Sequence, residues 1–140
     1  MGVADDRAEA LAGAGWRQRA LQGFADRLGP LWTRREDAGW AYGVLPTREH
    51  LNPAGFVHGG ALCALFDHMV STVAWEAVGR RPCVTVQLST QFLAPAREGE
   101  FLEARGRVRK VASTLVFMEG MIATGTRDLL AGTAVLKIMG

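Results

Sequence analysis

Within residues 52–67, NPAGFVHGGALCALFD, the groups able to do chemistry stand at two ends. Asn52, His58 and the pair Gly59-Gly60 precede an apolar run, and Asp67 interrupts it. If the run is a helix, the glycines lie at its N-terminus, where the leading N–H groups have no partner within the helix and the dipole is positive. Such donors polarise a carbonyl or hold developing negative charge. Glycine suits that task because no side chain blocks approach to the backbone. The bland reading is a tight loop-to-helix junction, for which Gly is also common. Asp67 is the candidate base or nucleophile. A carboxylate among Ala, Leu, Phe, Val and Met costs desolvation energy unless it is paired or functional; the structural reading is a hydrogen bond to Ser71, one turn on. About 12 Å of helix rise separates Gly59 from Asp67. One carbon is not within reaction distance of both in a single chain. Either one of them is not catalytic, or the site is built across two copies.

The elements that would position these groups follow from periodicity. Trp16, Ala20, Phe24 and Leu28, with Leu21, recur at helical intervals, so a helix is expected from Trp16 to the stop at Gly29-Pro30. The Ala/Gly-rich AEALAGAG before it reads as a loose terminus. LWTRRE and GWAYGVL read as two strands joined by Asp37-Ala38-Gly39, and residues 46–57 as a loop. From Gly60 to about Val78 the chain is apolar all round, the mark of a central helix. The period then falls to two. In CVTVQLSTQF, Val84, Val86 and Leu88 share one face, with Thr85, Gln87, Ser89 and Gln91 on the other. After a turn at residues 95–99, EFLEARGRVRKV sets Leu102, Ala104 and Val108 against Glu103, Arg105, Arg107 and Arg109. STLVFMEGMIATG and LLAGTAVLKIM are two further strands, joined through Thr126-Arg127-Asp128. A wholly apolar helix has to be covered, and the sheet is what is available to cover it. The expected class is α+β, a curved antiparallel sheet around one long central helix, with an extra N-terminal helix.

The spacing Asn52-x-x-Gly55-x-x-His58-Gly59-Gly60-x-x-x-x-Leu65-x-Asp67, continued by VTVQLSTQFLAPAREGE, resembles the hotdog-fold acyl-CoA thioesterases, most of all the phenylacetate-pathway branch. The likeness runs over roughly residues 40–140. It implies one hotdog domain over 1–140, with residues 1–30 as an N-terminal extension carrying a short helix. It also implies a thioester hydrolase acting on coenzyme A conjugates as a homodimer or a homotetramer (a dimer of dimers), with Asp67 reaching the site from a partner copy. Gly59 is then the donor that polarises the thioester carbonyl. His58 helps to position and polarise that carbonyl, orients the loop, or makes a structural bond beside the helix start. Asn52 holds the attacking water or bonds to the loop backbone. Thr85 lies where similar enzymes carry a hydroxyl that holds the water or carboxylate, although Thr is also an ordinary strand residue. His68 departs from the expected small or neutral residue; it faces away from Asp67, toward Thr72, unless it reaches the site.

Substrate contacts are expected at Gly60 and Phe56, with Phe66, Met69 and Trp75 as further lining. For the coenzyme A phosphates the candidates are Arg109 and Lys110, within a basic cluster that includes Arg105 and Arg107, and with Arg80 and Arg81 after the helix. No cofactor is expected. His50, His58 and His68 lack a compact metal-ligand spacing, and Cys63 lies in the apolar run without a positive neighbour to activate it.

The bulk numbers agree with a globular domain. Of 140 residues, 49% are hydrophobic and 21% charged, and the formal net charge of +2 is too small to argue for nucleic acid. Two cysteines, Cys63 and Cys83, make no disulfide framework and point to reduced thiols. The start MGVADD lacks the basic and apolar regions of a secretory signal, and Asp6 stands where a myristoylation motif wants Ser or Thr. The longest apolar segment is interrupted by His58, Asp67 and His68 and falls short of a membrane span. A soluble cytoplasmic protein without nucleic-acid or membrane partners is expected. Two other functions share the fold: a non-catalytic acyl-CoA-binding or sensing module, which would keep the glycines and dispense with Asp67, and an enoyl-CoA hydratase, whose Asp/His spacing is not found here.

Overall fold

The computed structural model describes residues 2–140. The apolar run forms helix α2, Gly59–Ala77, and one side of it carries the core. Leu62, Leu65, Phe66, Met69, Val70 and Ala74 are buried in a single cluster with Ala104, Met118, Ile122, Leu130 and Leu136 from the sheet. Each large apolar side chain buried there contributes on the order of 1.5–3 kcal/mol. The sheet is built from β1 (Arg17–Arg19), β2 (Leu31–Glu36), β3 (Gly39–Val44), β4 (Cys83–Phe92), β5 (Leu102–Val111), β6 (Leu115–Thr124) and β7 (Arg127–Ile138). All pairings are antiparallel, in the order β1-β2-β3-β5-β6-β7-β4. The strand that follows α2 in sequence, β4, is therefore an edge.

Three glycines let the helix lie close to the sheet. Gly106 pairs with Gly120 and Gly120 with Gly132, so they form a row across β5, β6 and β7. A Cβ on Gly120 would stand 2.6 Å from Met69 Cε, and one on Gly132 would stand 2.8 Å from Phe66 Cζ. The space a side chain would take is filled by the helix.

The α+β architecture, the β2–β3 hairpin and the central helix are as the sequence predicts; four local expectations are not. The segment expected to be helical from Trp16 to Gly29 is instead strand β1 followed by a 3-10 segment, Gly23–Leu28. Gly15 and Gly23, at φ of 96° and 67°, break the helical course on either side of the strand. Trp16 and Leu28 are buried as their spacing suggests, but in different places: Trp16 joins Trp32, Ala41 and Phe101 in a second cluster, while Leu28 enters the main core. The N-terminal helix exists, yet it is α1, Val3–Gly13, formed by the stretch read as a loose terminus. Alanine is the strongest helix former, and Ala8 and Leu11 pack onto the second cluster.

The third correction concerns β4. Val84 and Val86 are 51% and 56% exposed, whereas Thr85 is half-buried. A bulge between Thr85 and Gln87 shifts the register, so Cys83 and Thr85 on one side of it, and Leu88 and Thr90 on the other, pair opposite Ile138, Leu136, Ala134 and Gly132 of β7. The polar residue of the Val-Thr-Val triplet is thus the inward one. A smaller difference lies between β6 and β7, where Arg127 and Asp128 belong to the strand rather than to the turn. Among the described residues no helix is long and apolar enough to cross a membrane.

Candidate active site

The loop entering α2 is held by its own backbone. Asn52 Oδ1 accepts hydrogen bonds from Ala54 N (3.0 Å) and Phe56 N (3.1 Å), and Asn52 N donates to Phe56 O at 2.7 Å. Gly55, at φ 89°, makes the turn that these bonds require. His58 N donates to His50 O, and Val57 N donates to Ala96 O, each at 2.8 Å. The Asn52 side-chain oxygen is therefore committed to the loop, which leaves its Nδ2 group for any other partner.

His58 is the N-cap of α2. Its Nδ1 accepts from Gly60 N at 2.7 Å, so the ring proton belongs on Nε2. A Cβ at Gly60 would lie 2.9 Å from that Nδ1, and glycine is what allows the ring to fold over the helix end. The leading donors of the helix can then be accounted for one by one. Gly60 N–H is taken by His58 Nδ1, and Ala61 N–H and Leu62 N–H both reach His58 O, at 2.9 and 3.2 Å. Of these four leading donors, only Gly59 N–H has no acceptor among the described residues. Phe92 of β4 walls this position, its ring carbons 3.2 Å from where a Gly59 Cβ would be. Gly59 therefore offers a bare, partly desolvated donor at the positive end of a helix, which suits a carbonyl oxygen gaining negative charge.

Two turns along, Asp67 lies on the flank of α2 that faces β4. Thr85 Oγ1 donates to Asp67 Oδ1 at 2.6 Å, and Ser71 Oγ lies 3.4 Å from Thr85 Oγ1. Ser71 is thus one step removed from the carboxylate, with the threonine between them. Oδ2 of the half-buried Asp67 has no partner among the described residues. His68 turns to the other flank. Its ring meets Tyr42 of β3 edge-on, with centroids 6.2 Å apart, and only its carbonyl oxygen bonds to the Thr72 hydroxyl (2.8 Å). Burial pushes the His68 imidazole below its ordinary range, against the pull of the Asp67 carboxylate. Tyr42 is pushed up to about 12 by burial and by Glu76. His68 is a neutral packing group in this setting.

Phe56 is half-buried on the entry loop, and the Arg97 guanidinium sits over its ring at 5.0 Å. The basic strand goes elsewhere. In β5, Ala104, Gly106 and Val108 face α2, so Arg105 and Arg107 point from the opposite face of the sheet. Arg105 is bound to Glu36 and Glu103, and Arg107 and Arg109 share Glu119. Lys110 is exposed beyond the β5 bulge, paired opposite Phe117. Within one chain, then, Gly59, Gly60, His58, Asn52 and Phe56 gather at one end of α2, and Asp67 and Thr85 further along it. Arg109 and Lys110 lie with neither group. Among the described residues no three His, Cys, Asp or Glu side chains converge as metal ligands.

Sequence reasoning missed Phe92 and Arg97. Phe92 reaches Gly59 only because the β4 bulge sets its parity, which no spacing rule reveals. Arg97 carries a weak signal, a cation in the Pro-Ala-Arg-Glu-Gly turn, and finds Phe56 only in the folded chain.

The model of the thioesterase superfamily matches residues 54–131, without singling out a branch. A candidate esterase of Pseudomonas aeruginosa is 30% identical over 115 residues, covering 81% of this chain and 86% of its own length. Human acyl-coenzyme A thioesterase 13 is 36% identical over 70 residues, 49% of each chain. A hypothetical thioesterase of Streptococcus pneumoniae solved with coenzyme A superposes with a TM-score of 0.71 at 20% identity, covering 89% of this chain and 97% of that one. At that identity the likeness is one of fold.

Proposed function

This chain belongs to the thioesterase superfamily, and from that premise we propose that it hydrolyses an acyl-CoA thioester to the free acid and CoA, at a site shared between two copies. Coenzyme A in the pneumococcal structure and the activity named for the human relative support the choice of thiol. The observation that carries the reading is the donor account at α2: of its four leading N–H groups, only that of Gly59 is unclaimed.

In the proposed reaction the thioester carbonyl oxygen accepts from Gly59 N–H, with His58 holding the helix end in place. A water molecule attacks the carbonyl carbon while the open oxygen of Asp67 from the partner copy takes its proton. The tetrahedral oxyanion rests on Gly59 N–H. Its collapse breaks the C–S bond, and the proton held by Asp67 goes to the departing sulfur. The other route has Asp67 attack the carbon directly, forming a mixed anhydride that water then cleaves. Both routes consume one water. Label found in the Asp67 carboxylate after a single turnover in 18O-water would select the anhydride route, with water attacking the Asp67 carbonyl of the anhydride.

The phosphates of CoA fall to cations at the surface, with Arg97 over the Phe56 ring of the entry loop and Arg109 and Lys110 available from a partner. The test of function is thiol release from a panel of acyl-CoAs by wild type and Asp67→Asn. A loss of about 10²–10⁴ in kcat is expected for the variant; equal rates would remove Asp67 from the mechanism. Tight acyl-CoA binding with no turnover by wild type would select a binding module instead.

A further inference from the structure

One cavity beside the proposed site has no part in the chemistry so far. It is an open depression of about 300 Å³ next to the N-terminus of α2, lined by Phe24, Leu28, Leu51 and Ala61 together with His58 and Gly60. The last two flank Gly59 in the chain, so the cavity opens at the same end of α2 as the Gly59 donor, although Gly59 itself faces Phe92 and is not part of the lining. We propose that the cavity receives the acyl group of the substrate, and that Phe24 selects for extended apolar acyl groups, linear or aromatic, over acetyl. This inference rests on Gly59 as the carbonyl-binding donor.

Phe24 comes from the 3-10 segment Gly23–Leu28, outside the residues matched by the superfamily model. The segment is anchored on both sides of the cavity. His50 Nε2 lies 2.7 Å from Arg27 O, Leu28 is buried in the main core, and Gly29 N donates to Asp26 O at 3.1 Å. Phe24 itself is 74% exposed. An aromatic ring held on a fixed turn with most of its surface in water gains by being covered, and an apolar acyl group is the covering this position offers. Charge agrees with an apolar guest: the two charged side chains at the cavity, Arg27 and Glu49, are opposite in sign. A smaller void of about 10 Å³ shares Leu28, His50 and Ala61 and leads toward Leu65 and Leu102 of the core. The apolar lining thus continues inward.

The test compares kcat/KM for acetyl-, hexanoyl- and phenylacetyl-CoA in wild type, Phe24→Ala and Phe24→Leu. Removing the ring should lower the hexanoyl-to-acetyl and phenylacetyl-to-acetyl ratios about tenfold, and leucine should restore most of the hexanoyl preference. Unchanged ratios in Phe24→Ala would overturn the proposal. Binding of S-ethyl-CoA and S-hexyl-CoA thioethers, followed by calorimetry, separates this idea from the hydrolytic reading. Wild type should favour the hexyl compound and Phe24→Ala should lose that preference, whether or not any acyl-CoA is turned over. Selective thioether binding without turnover would defeat the thioesterase reading and leave the cavity assignment standing. Equal affinities of wild type for the two thioethers would defeat the cavity assignment.

Discussion

A backbone N–H can be deleted without deleting the turn that carries it, and Gly59 is a position where this is feasible. It is the first residue of α2, where proline is well tolerated because its missing donor has no partner in the helix. His58, at φ −60° and ψ 136°, already has the extended conformation that a residue before proline prefers. Gly59→Pro should therefore fold with a Tm close to wild type while losing about 10²–10³ in kcat, the usual consequence of removing one oxyanion donor. The added ring carbons press on Phe92, so Phe92→Ala/Gly59→Pro is the control that separates crowding from the lost N–H. Activity returning in the double variant would take the role away from Gly59. In the proposed reaction Thr85 acts through another residue, by fixing one oxygen of Asp67 (2.6 Å) and leaving the other open. Thr85→Val should reduce kcat about tenfold with little change in KM, and Thr85→Ser should recover most of it because the donor returns. A serine variant as slow as the valine one would reduce Thr85 to a packing residue.

At the scale of elements, the fit between α2 and the sheet makes Gly120 the most sensitive position. A methyl there stands 2.6 Å from Met69 Cε and 2.8 Å from Arg105 O, and the second contact is backbone that cannot swing aside. Gly120→Ala should cost about 1–3 kcal/mol in chemical denaturation, and a neutral result would mean that β6 shifts freely against α2. On the opposite face, Glu36 of β2 joins Arg105 of β5 and Arg34. The Arg105 guanidinium, opposed by burial and helped by Arg34, holds the Glu36 carboxyl at about 2, below its ordinary 4.5. Because the folded value is the lower one, the pair stabilises the protein above about pH 4.5 and loses that contribution as pH falls toward 2. The partly exposed guanidiniums are screened, so Glu36→Gln should cost only about 1 kcal/mol at neutral pH. Wild type and variant should converge in Tm near pH 2. These elements differ in how far the sequence discloses them. The α2 run and the β2–β3 hairpin are legible because one pattern persists through each. The row Gly106, Gly120, Gly132 is not, since its meaning depends on register between strands. The parity of β4 is misread because one bulge residue, Val86, reverses what alternation predicts. Asp67, His58 and the glycines are legible as a local motif, whereas Phe92, Arg97 and Phe24 meet it only through tertiary contacts.

For the whole molecule, the question is what covers β4. It is an edge strand with Val84, Val86 and Phe92 exposed by 51–56%, Leu93 following at 52%, and Trp75 of α2 exposed by 36%. A ten-residue edge strand with exposed apolar side chains is a surface that proteins seldom leave open, and a second copy would supply the missing strand and, in the proposed reaction, the second half of the site. If Gly59 and Asp67 of one chain, about 12 Å apart, serve different active sites, each defective variant still carries one sound half. Gly59→Pro and Asp67→Asn are each expected to be nearly inactive alone. Unfolded together and refolded as a mixture, about half of the dimers contain one chain of each kind. In such a dimer one site has both defects, and the other combines an intact Gly59 with an intact Asp67. The mixture should therefore recover about a quarter of wild-type activity per chain. If both groups act within a single chain, every site in every dimer keeps a defect and mixing restores nothing. Gel filtration of the refolded mixture completes the experiment, because complementation requires the activity to elute with the dimer and to be absent from any monomer fraction.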